Sequence, residues 1–191
     1  MDRSYRQQPR RRLFVSGLAI AAIGLPSLHA AEARVVAMSL PLKTVQGAAL
    51  AEGVEIAMLE AASGGLAIKA VALDDGGDPV RAAANAAQLI NGRSPICFAA
   101  CPSLECAQAI APLLAEARVP MVGLATGAEA LRGPEYPYFF HSRASSQEEA
   151  RAIVSQLDAI GLSRFAVLHS TDSFGQEGAT GVKNELARLA R

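Results

Sequence analysis

The sequence predicts an α/β protein built on a parallel sheet with helices on both faces. Short apolar runs of strand length alternate with longer helical patterns, which is the order of elements in βαβ units. Apolar runs such as Ile96–Ala100 lack the alternation of a half-exposed strand, as is typical of strands covered on both faces. Half of the chain, 51%, is apolar and 19% is charged, which is enough for a sizeable core.

Four of the five predicted helices begin at a residue whose side chain can cap the helix. The predicted caps are Thr44, Asp78, Ser103, and Ser145 or Ser146. The predicted strands lie at 34–39, 66–73, 96–100, 119–124, 138–142 and 165–169. A last amphipathic helix follows the sixth strand.

The first 33 residues are typical of a secretory signal peptide. Residues 1–12 are arginine-rich, residues 13–25 are apolar, and Ala31-Glu32-Ala33 is a cleavage pattern. An apolar stretch of about 13 residues is shorter than the roughly 20 that span a membrane, so we expect cleavage near Ala33 and no membrane span afterwards. Arg11-Arg12 resembles the twin-arginine export motif, and the general secretory route stays open. With no cysteine near the cleavage site, the expected product is soluble and periplasmic.

Charge and motifs exclude several classes of function. The formal net charge is zero and no basic patch is present, so we expect no nucleic-acid partner. Neither a P-loop nor a dinucleotide glycine pattern is present, and we expect no cofactor. A G-x-S-x-G elbow is also lacking, so we expect no enzyme of the serine hydrolase type and no enzyme overall. His141 and His169 have no carboxylate or cysteine at metal-ligand spacing on the same element, so we expect no metal site.

Two clusters have more than one interpretation. Asp74, Asp75 and Asp78 suggest turn and cap chemistry, with calcium binding as the alternative. Cys97 is expected in the core. In an exported protein Cys101 and Cys106 are candidates for a short disulfide, although a bond between a strand-end loop and a helix turn strains the required geometry.

Two loops at one edge of the sheet carry the candidate binding residues. Ser103 offers a hydroxyl beside the free N–H groups of a helix start, which suits a carboxylate. Thr126, with the backbone of Ala125 and Gly127, offers similar groups from the next loop. Because ligands sit at the carboxyl edge of open α/β sheets, these loops predict a binding site.

An ordered series of motifs resembles the type I periplasmic binding proteins, specifically the branched-chain amino acid receptors of ABC transporters. The resemblance covers residues 34–191. Its motifs are Gly47 and Gly53, the Asp74–Pro79 turn, Ser103 with Ala111-Pro112, Val119–Val122 with Ala125-Thr126, Tyr138–Ser142, and Ser170–Gly175.

This resemblance implies a Rossmann-like receptor with two lobes that closes on a small molecule and delivers it to an inner-membrane ABC permease. Residues 34–141 would form the first lobe, and 142–191 an incomplete start of the second. Ser103 and the Ala125-Thr126-Gly127 backbone would hold the ligand carboxylate. Phe174 falls where the family often has a tyrosine that lines the second lobe.

Several residues depart from the family pattern. Gln46, a further candidate for ligand contact, stands where an aromatic residue is common, and His141 replaces a frequent arginine. Ser146 replaces an aspartate that helps to hold the ligand ammonium group, and Gly77 replaces the usual cysteine partner of Cys101. The missing counter-ion leaves open an aromatic or aliphatic carboxylate as the ligand. A sensor or docking protein of the same fold, or less favourably a periplasmic enzyme, is the alternative function.

Overall fold

The computed structural model describes residues 33–189, which form a five-stranded parallel sheet with flanking helices. The strands are β1 Arg34–Leu40, β2 Ile68–Asp74, β3 Cys97–Ala99, β4 Met121–Val122 and β5 Phe139–Phe140, in the order β2-β1-β3-β4-β5. The helices are α1 Val45–Ser63, α2 Pro79–Arg93, α3 Leu104–Ala117, α4 Ser146–Ala159 and α5 Ser173–Arg188, with a 3₁₀ turn at Glu129–Leu131. The predicted α/β class is confirmed. The predicted signal peptide lies outside the described residues apart from Ala33.

Local capping sets the helix starts that the sequence predicts. Thr44, Asp78, Ser103 and Ser145 each accept a hydrogen bond from a backbone N–H two or three residues further along. Glu148 completes a capping box at α4 by accepting from the N–H of Ser145 at 2.9 Å. The helices therefore begin where short-range hydrogen bonding dictates.

The sixth predicted strand, 165–169, is wrong. This segment forms no strand, because no neighbouring strand among the described residues offers hydrogen-bond partners beside it. The fourth and fifth predicted strands are also longer than the observed two-residue strands β4 and β5. An apolar run predicts burial, whereas a strand also needs a partner.

Both faces of the sheet are covered, as the fold class requires. Adjacent residues of β1 belong to different cores, since Ala37 packs with α2 and α3 while Met38 packs with α1. The larger core contains the fully buried side chains Phe98, Ile110, Leu114, Met121 and Leu131. This packing holds the strand ends, and thus the loops that follow them, in fixed positions.

The acidic turn after β2 is held by protein hydrogen bonds. Asp75 is 1% exposed and accepts from the hydroxyl of Ser39 at 2.9 Å and from the N–H of Gly77 at 2.8 Å. Asp74 accepts from the N–H groups of Leu42 and Gly76. Among the described residues no group of three or more potential ligands could hold a metal ion. Turn and cap chemistry therefore accounts for these carboxylates.

All three cysteines are free thiols in residues 33–189. Cys97, predicted in the core, is only half-buried, whereas Cys101 and Cys106 are buried. Burial raises the pKa of Cys101 to about 12 and also raises the pKa of Cys106. Both thiols are therefore protonated at neutral pH and pack as small apolar groups.

None of the helices between residues 33 and 189 combines the length and the apolar character that a membrane crossing requires.

Candidate ligand-binding site

A cavity of about 430 Å³ lies where the carboxyl edge of the sheet faces the start of α5. The loops after β3, β4 and β5 form one wall together with the first turn of α1, and the first turns of α5 form the opposite wall. The residues that line it are Gln46, Pro102, Ser103, Leu104, Glu105, Ala125, Thr126, Ala128, Arg143, Asp172, Ser173, Phe174 and Glu177. This position is the edge at which the sequence predicts a ligand.

The cavity brings together five of the six candidate residues. Gln46, Ser103, Ala125, Thr126 and Phe174 line it.

Gly127 is the exception, since it is buried behind this wall. Its carbonyl accepts from the N–H of Ser146 at 2.9 Å, and a Cβ at this position would lie 3.1 Å from that nitrogen. Glycine therefore lets the β4 loop approach the start of α4 closely.

Ser103 uses its hydroxyl within the protein. The oxygen accepts from the N–H of Cys106 at 3.2 Å, which caps α3. The hydroxyl donates to Oε2 of Glu105 at 2.9 Å. A ligand carboxylate could receive this hydrogen only by displacing Glu105. The structure therefore shows Ser103 acting as the N-cap of α3.

In the loop that follows β4, residues 123–128, some polar groups are hydrogen-bonded within the protein and others are not. The N–H of Ala125 donates to Cys101 O at 3.0 Å, and the carbonyl of Ala125 accepts from Nη1 of Arg143 at 3.0 Å. Oγ1 of Thr126 accepts from the N–H of Ala128 at 3.2 Å. Within residues 33–189 the Thr126 hydroxyl hydrogen and the N–H groups of Thr126 and Gly127 form no hydrogen bond. Thr126 therefore lines the cavity with donors that no acceptor among the described residues occupies.

Glu105, which is not among the candidate residues predicted from the sequence, reaches between the two walls. Its Oε2 accepts from Ser103, and its Oε1 accepts from the hydroxyl of Ser173 in α5 at 3.4 Å. Hydrogen bonds from its own backbone N–H and from the Ser103 hydroxyl lower the pKa of Glu105. The side chain is exposed, so an ionised carboxylate is presented to the cavity.

Arg143 is a second lining residue that sequence reasoning missed. Nε and Nη2 donate to the carboxylate of Glu149 at 2.6 to 3.0 Å, while Nη1 holds the carbonyl of Ala125. Its charge is thus paired with Glu149, which does not line the cavity. Arg143 follows the last strand of the sheet, so the strand-end rule that singled out Ser103 and Thr126 would also have identified it.

His141 and His169 lie outside the cavity lining. Nε2 of His141 donates to the carbonyl of Leu131 at 3.0 Å, and Nδ1 of His169 donates to the carbonyl of Ser170 at 2.7 Å. Within the described residues neither ring bonds to a serine or threonine hydroxyl or to a cysteine thiol.

The family model and the solved structures that match this chain describe the same family of proteins. A family model described as periplasmic binding protein matches residues 33–189. A substrate-binding periplasmic protein from Ralstonia solanacearum is 31% identical with a TM-score of 0.73, over 82% of this chain and 46% of that chain. A possible leucine/isoleucine/valine-binding protein from Rhodopirellula baltica SH 1 is 27% identical with a TM-score of 0.74, over 84% and 46%.

A more distant structure shows the same fold. It is an ABC transporter solute-binding protein from R. palustris in complex with 4-hydroxybenzoate, 22% identical with a TM-score of 0.68, over 82% of this chain and 44% of that chain. Among curated proteins none matches this sequence. The chain thus spans less than half the length of the solved structures that it matches.

Proposed function

This chain belongs to the periplasmic binding protein family, and on that premise we propose that it is an exported solute receptor of an ABC importer. It would bind a small carboxylate-bearing molecule in the cavity at the carboxyl edge of the sheet. The single observation that supports this most is the cavity itself, whose walls come from the strand-end loops and from the start of α5. Delivery to an inner-membrane permease, after export to the periplasm, belongs to the same proposal.

We assign the ligand carboxylate to the β4 loop. The Thr126 hydroxyl and the Thr126 N–H are donors without protein acceptors among the described residues. Charge-assisted hydrogen bonds from such donors to a carboxylate are about twice as strong as neutral ones. Ser103 would contribute mainly by capping α3, whose N-terminus also favours an anion.

Phe174 and Gln46 would contact the remainder of the ligand. Phe174 is 61% exposed in this structure, so a ligand that covers its ring gains apolar burial. It lies in α5, opposite the sheet loops, in the segment 142–189 that we assign to the start of a second lobe. Contacts to both walls would shift the balance between open and closed arrangements toward the closed one.

The descriptions of two similar proteins name two types of ligand. The Rhodopirellula baltica protein is described as a possible leucine/isoleucine/valine-binding protein, and the R. palustris protein was crystallised with 4-hydroxybenzoate. Both molecules carry one carboxylate, which the β4 loop would hold in the same way. We therefore propose a branched-chain amino acid or a related organic acid or amide as the ligand.

Replacing one hydroxyl tests the assignment. Thr126→Val keeps the shape of the side chain and removes its donor, so we expect leucine or 4-hydroxybenzoate, whichever binds, to lose about tenfold or more in affinity by isothermal titration calorimetry. Thr180→Val is the matched control, because Thr180 in α5 donates to Gln176 O at 2.7 Å, away from the cavity. Equal affinity of wild type and Thr126→Val would remove the assigned role of Thr126.

A further inference from the structure

The charges that line the cavity are unbalanced. Glu105, Asp172 and Glu177 contribute three carboxylates, and Arg143 contributes the only guanidinium among the described lining residues. That guanidinium is paired with Glu149 outside the lining and also bonds the carbonyl of Ala125. The lining therefore presents an excess of negative charge to a ligand.

Among the lining carboxylates, Glu105 is the one whose hydrogen bonds reach residues on both sides of the cavity. It lies at the first turn of α3, on the sheet side, and its Oε1 reaches Ser173 on the opposite side of the cavity. Asp172 differs, since its Oδ1 already accepts from Ser170 at 2.6 Å and from the N–H of Gly175 at 2.8 Å, which caps α5. The long bond of 3.4 Å from Ser173 leaves Oε1 of Glu105 able to accept a stronger donor.

We propose that Glu105 determines ligand specificity by binding a protonated nitrogen, so that the ligand carries an ammonium or amidinium group. This inference rests on the proposed function, since it concerns the same cavity. An ammonium hydrogen on Oε1 would replace the weak bond from Ser173 with a charge-assisted one. A ligand of net charge zero or above fits this lining, with any carboxylate held by the Thr126 loop.

A ligand that carries only a carboxylate is disfavoured by the same charges. It would meet Glu105 and the neighbouring carboxylates without an unpaired cation to compensate, and like charges in a partly enclosed site repel. Glu105 thus supplies a counter-ion from the sheet side of the cavity. The family pattern instead has an aspartate at the position of Ser146. Ser146 lines a different cavity and its hydroxyl is buried without a protein partner among residues 33–189.

Matched probes separate the two charges on one carbon skeleton. The first set is leucine, 3-methylbutylamine, which lacks the carboxylate, and 4-methylpentanoate, which lacks the ammonium group. The second pair is 4-hydroxybenzylamine and 4-hydroxybenzoate. We expect leucine or an amine to bind the full-length protein at least tenfold more tightly than the carboxylate of the same skeleton, measured by isothermal titration calorimetry at low salt.

Glu105→Gln removes the charge and keeps the shape and the ability to accept from Ser103. We expect it to weaken binding of the ammonium-bearing probe about tenfold or more, and to leave the carboxylate probe unchanged or tighter. Glu116→Gln, in the last turns of the same helix and outside the cavity lining, is the matched control and should alter neither.

The outcomes are distinguishable. If 4-methylpentanoate or 4-hydroxybenzoate binds tightest and Glu105→Gln has no effect, the inference about Glu105 is overturned while the proposed receptor function stands. If no probe of either charge binds, the proposed function for ligands of this size fails and the inference fails with it. Selective loss of ammonium binding in Glu105→Gln, but not in Glu116→Gln, supports both.

Discussion

The sheet region, residues 33–141, and the helix-pair region, residues 142–189, contain similar helices but bury their apolar side chains very differently. Leu114 in α3 is fully buried between helix and sheet, whereas Leu168, which precedes α5, is 101% exposed. Every buried member of the two hydrophobic cores comes from the sheet region. In the helix-pair region, α4 and α5 pack against each other through small residues such as Ala150 and Gly181.

The difference shows which parts of a βαβ unit form through contacts within a few residues and which need a partner distant in the sequence. Helices α4 and α5 form with their own caps, at Ser145 and Asp172, although no strand of the described chain lies beside them. The segment 165–169 has strand-like residues but stays unpaired, and Val167 and Leu168 line an apolar cavity of about 340 Å³ instead. A cap acts within one turn, whereas a strand depends on a neighbour distant in sequence.

The largest predicted effect is on the buried core of the sheet region. Leu114→Ala should lower the free energy of unfolding by about 2–5 kcal/mol, because it removes buried apolar contacts and leaves a cavity. Leu168→Ala, the same change at an exposed site, should alter it by less than about 0.5 kcal/mol. Chemical denaturation followed by circular dichroism measures both. Equal losses would mean that Leu168 is buried in solution and that the two regions do not differ as described.

The next effect is on the contact between α4 and α5. In Gly181→Ala the new Cβ would lie 2.8 Å from Cβ of Ala150, so we expect the helices to shift at a cost of about 1–3 kcal/mol. Gly178→Ala, one turn earlier in α5, meets no atom within 4 Å and should stabilise the helix by up to about 1 kcal/mol. Thermal unfolding of the two variants gives the comparison. A stable Gly181→Ala protein would show that α4 and α5 are not closely packed.

The smallest effect is a pH dependence confined to the helix pair. Glu185 is 4% exposed and accepts from Arg188 in α5 at 2.6 Å and from Ser155 in α4 at 2.8 Å. Hydrogen bonds from Arg188, followed by that from Ser155, lower the pKa of Glu185 from its ordinary value of 4.5 to about 2. A lowered pKa means that the ionised form stabilises the folded state above pH 4.5, and that this contribution is lost as the pH falls toward 2.

Hydrogen exchange of α5 amides, corrected for intrinsic rates, measures this loss. Protection should decrease between pH 5 and 2 in the wild type, and Glu185→Gln should have lower protection at pH 6 with a flatter profile, since glutamine does not titrate. Ser155→Ala keeps the pair with Arg188 and should retain most of the pH dependence. The same acid profile in Glu185→Gln as in the wild type would contradict the role of Glu185.

Most of the fold could be predicted because its signals are local. Thr44, Asp78 and Ser103 cap their helices as expected, since a side-chain oxygen and a nearby N–H need only a short stretch of chain. The strand ends were less predictable. Apolar residues continue past β4 to Leu124, which is buried by packing without joining the ladder. The incorrect strand at 165–169 has the same origin, because pairing is decided by elements far away in the sequence.

The sequence brings most candidate residues to one edge of the sheet, but it does not give their hydrogen bonds. The strand-end rule located Ser103 and Thr126 at the cavity, since parallel strands place their carboxyl ends on one edge. It could not show that the hydroxyl of Ser103 is bonded to Glu105, or that Arg143 holds the carbonyl of Ala125. Those contacts depend on rotamers and on helices that meet only in the folded chain. Gly127 illustrates the same limit, since its neighbour is Ser146 and not the cavity.

The strand order β2-β1-β3-β4-β5 has a consequence for folding kinetics. After β2 pairs with β1, each later strand adds to the one free edge on the other side, and only the β1–β3 pairing closes over an intervening strand. Loop-closure entropy rises slowly with length, and pairing between near neighbours favours rapid folding. We therefore expect the pairings of consecutive strands, β1–β2 and β3–β4, to form before the β1–β3 pairing joins them. The cavity, which combines the first turn of α1 with the loops after β3 and β4, would then be completed only when this pairing forms.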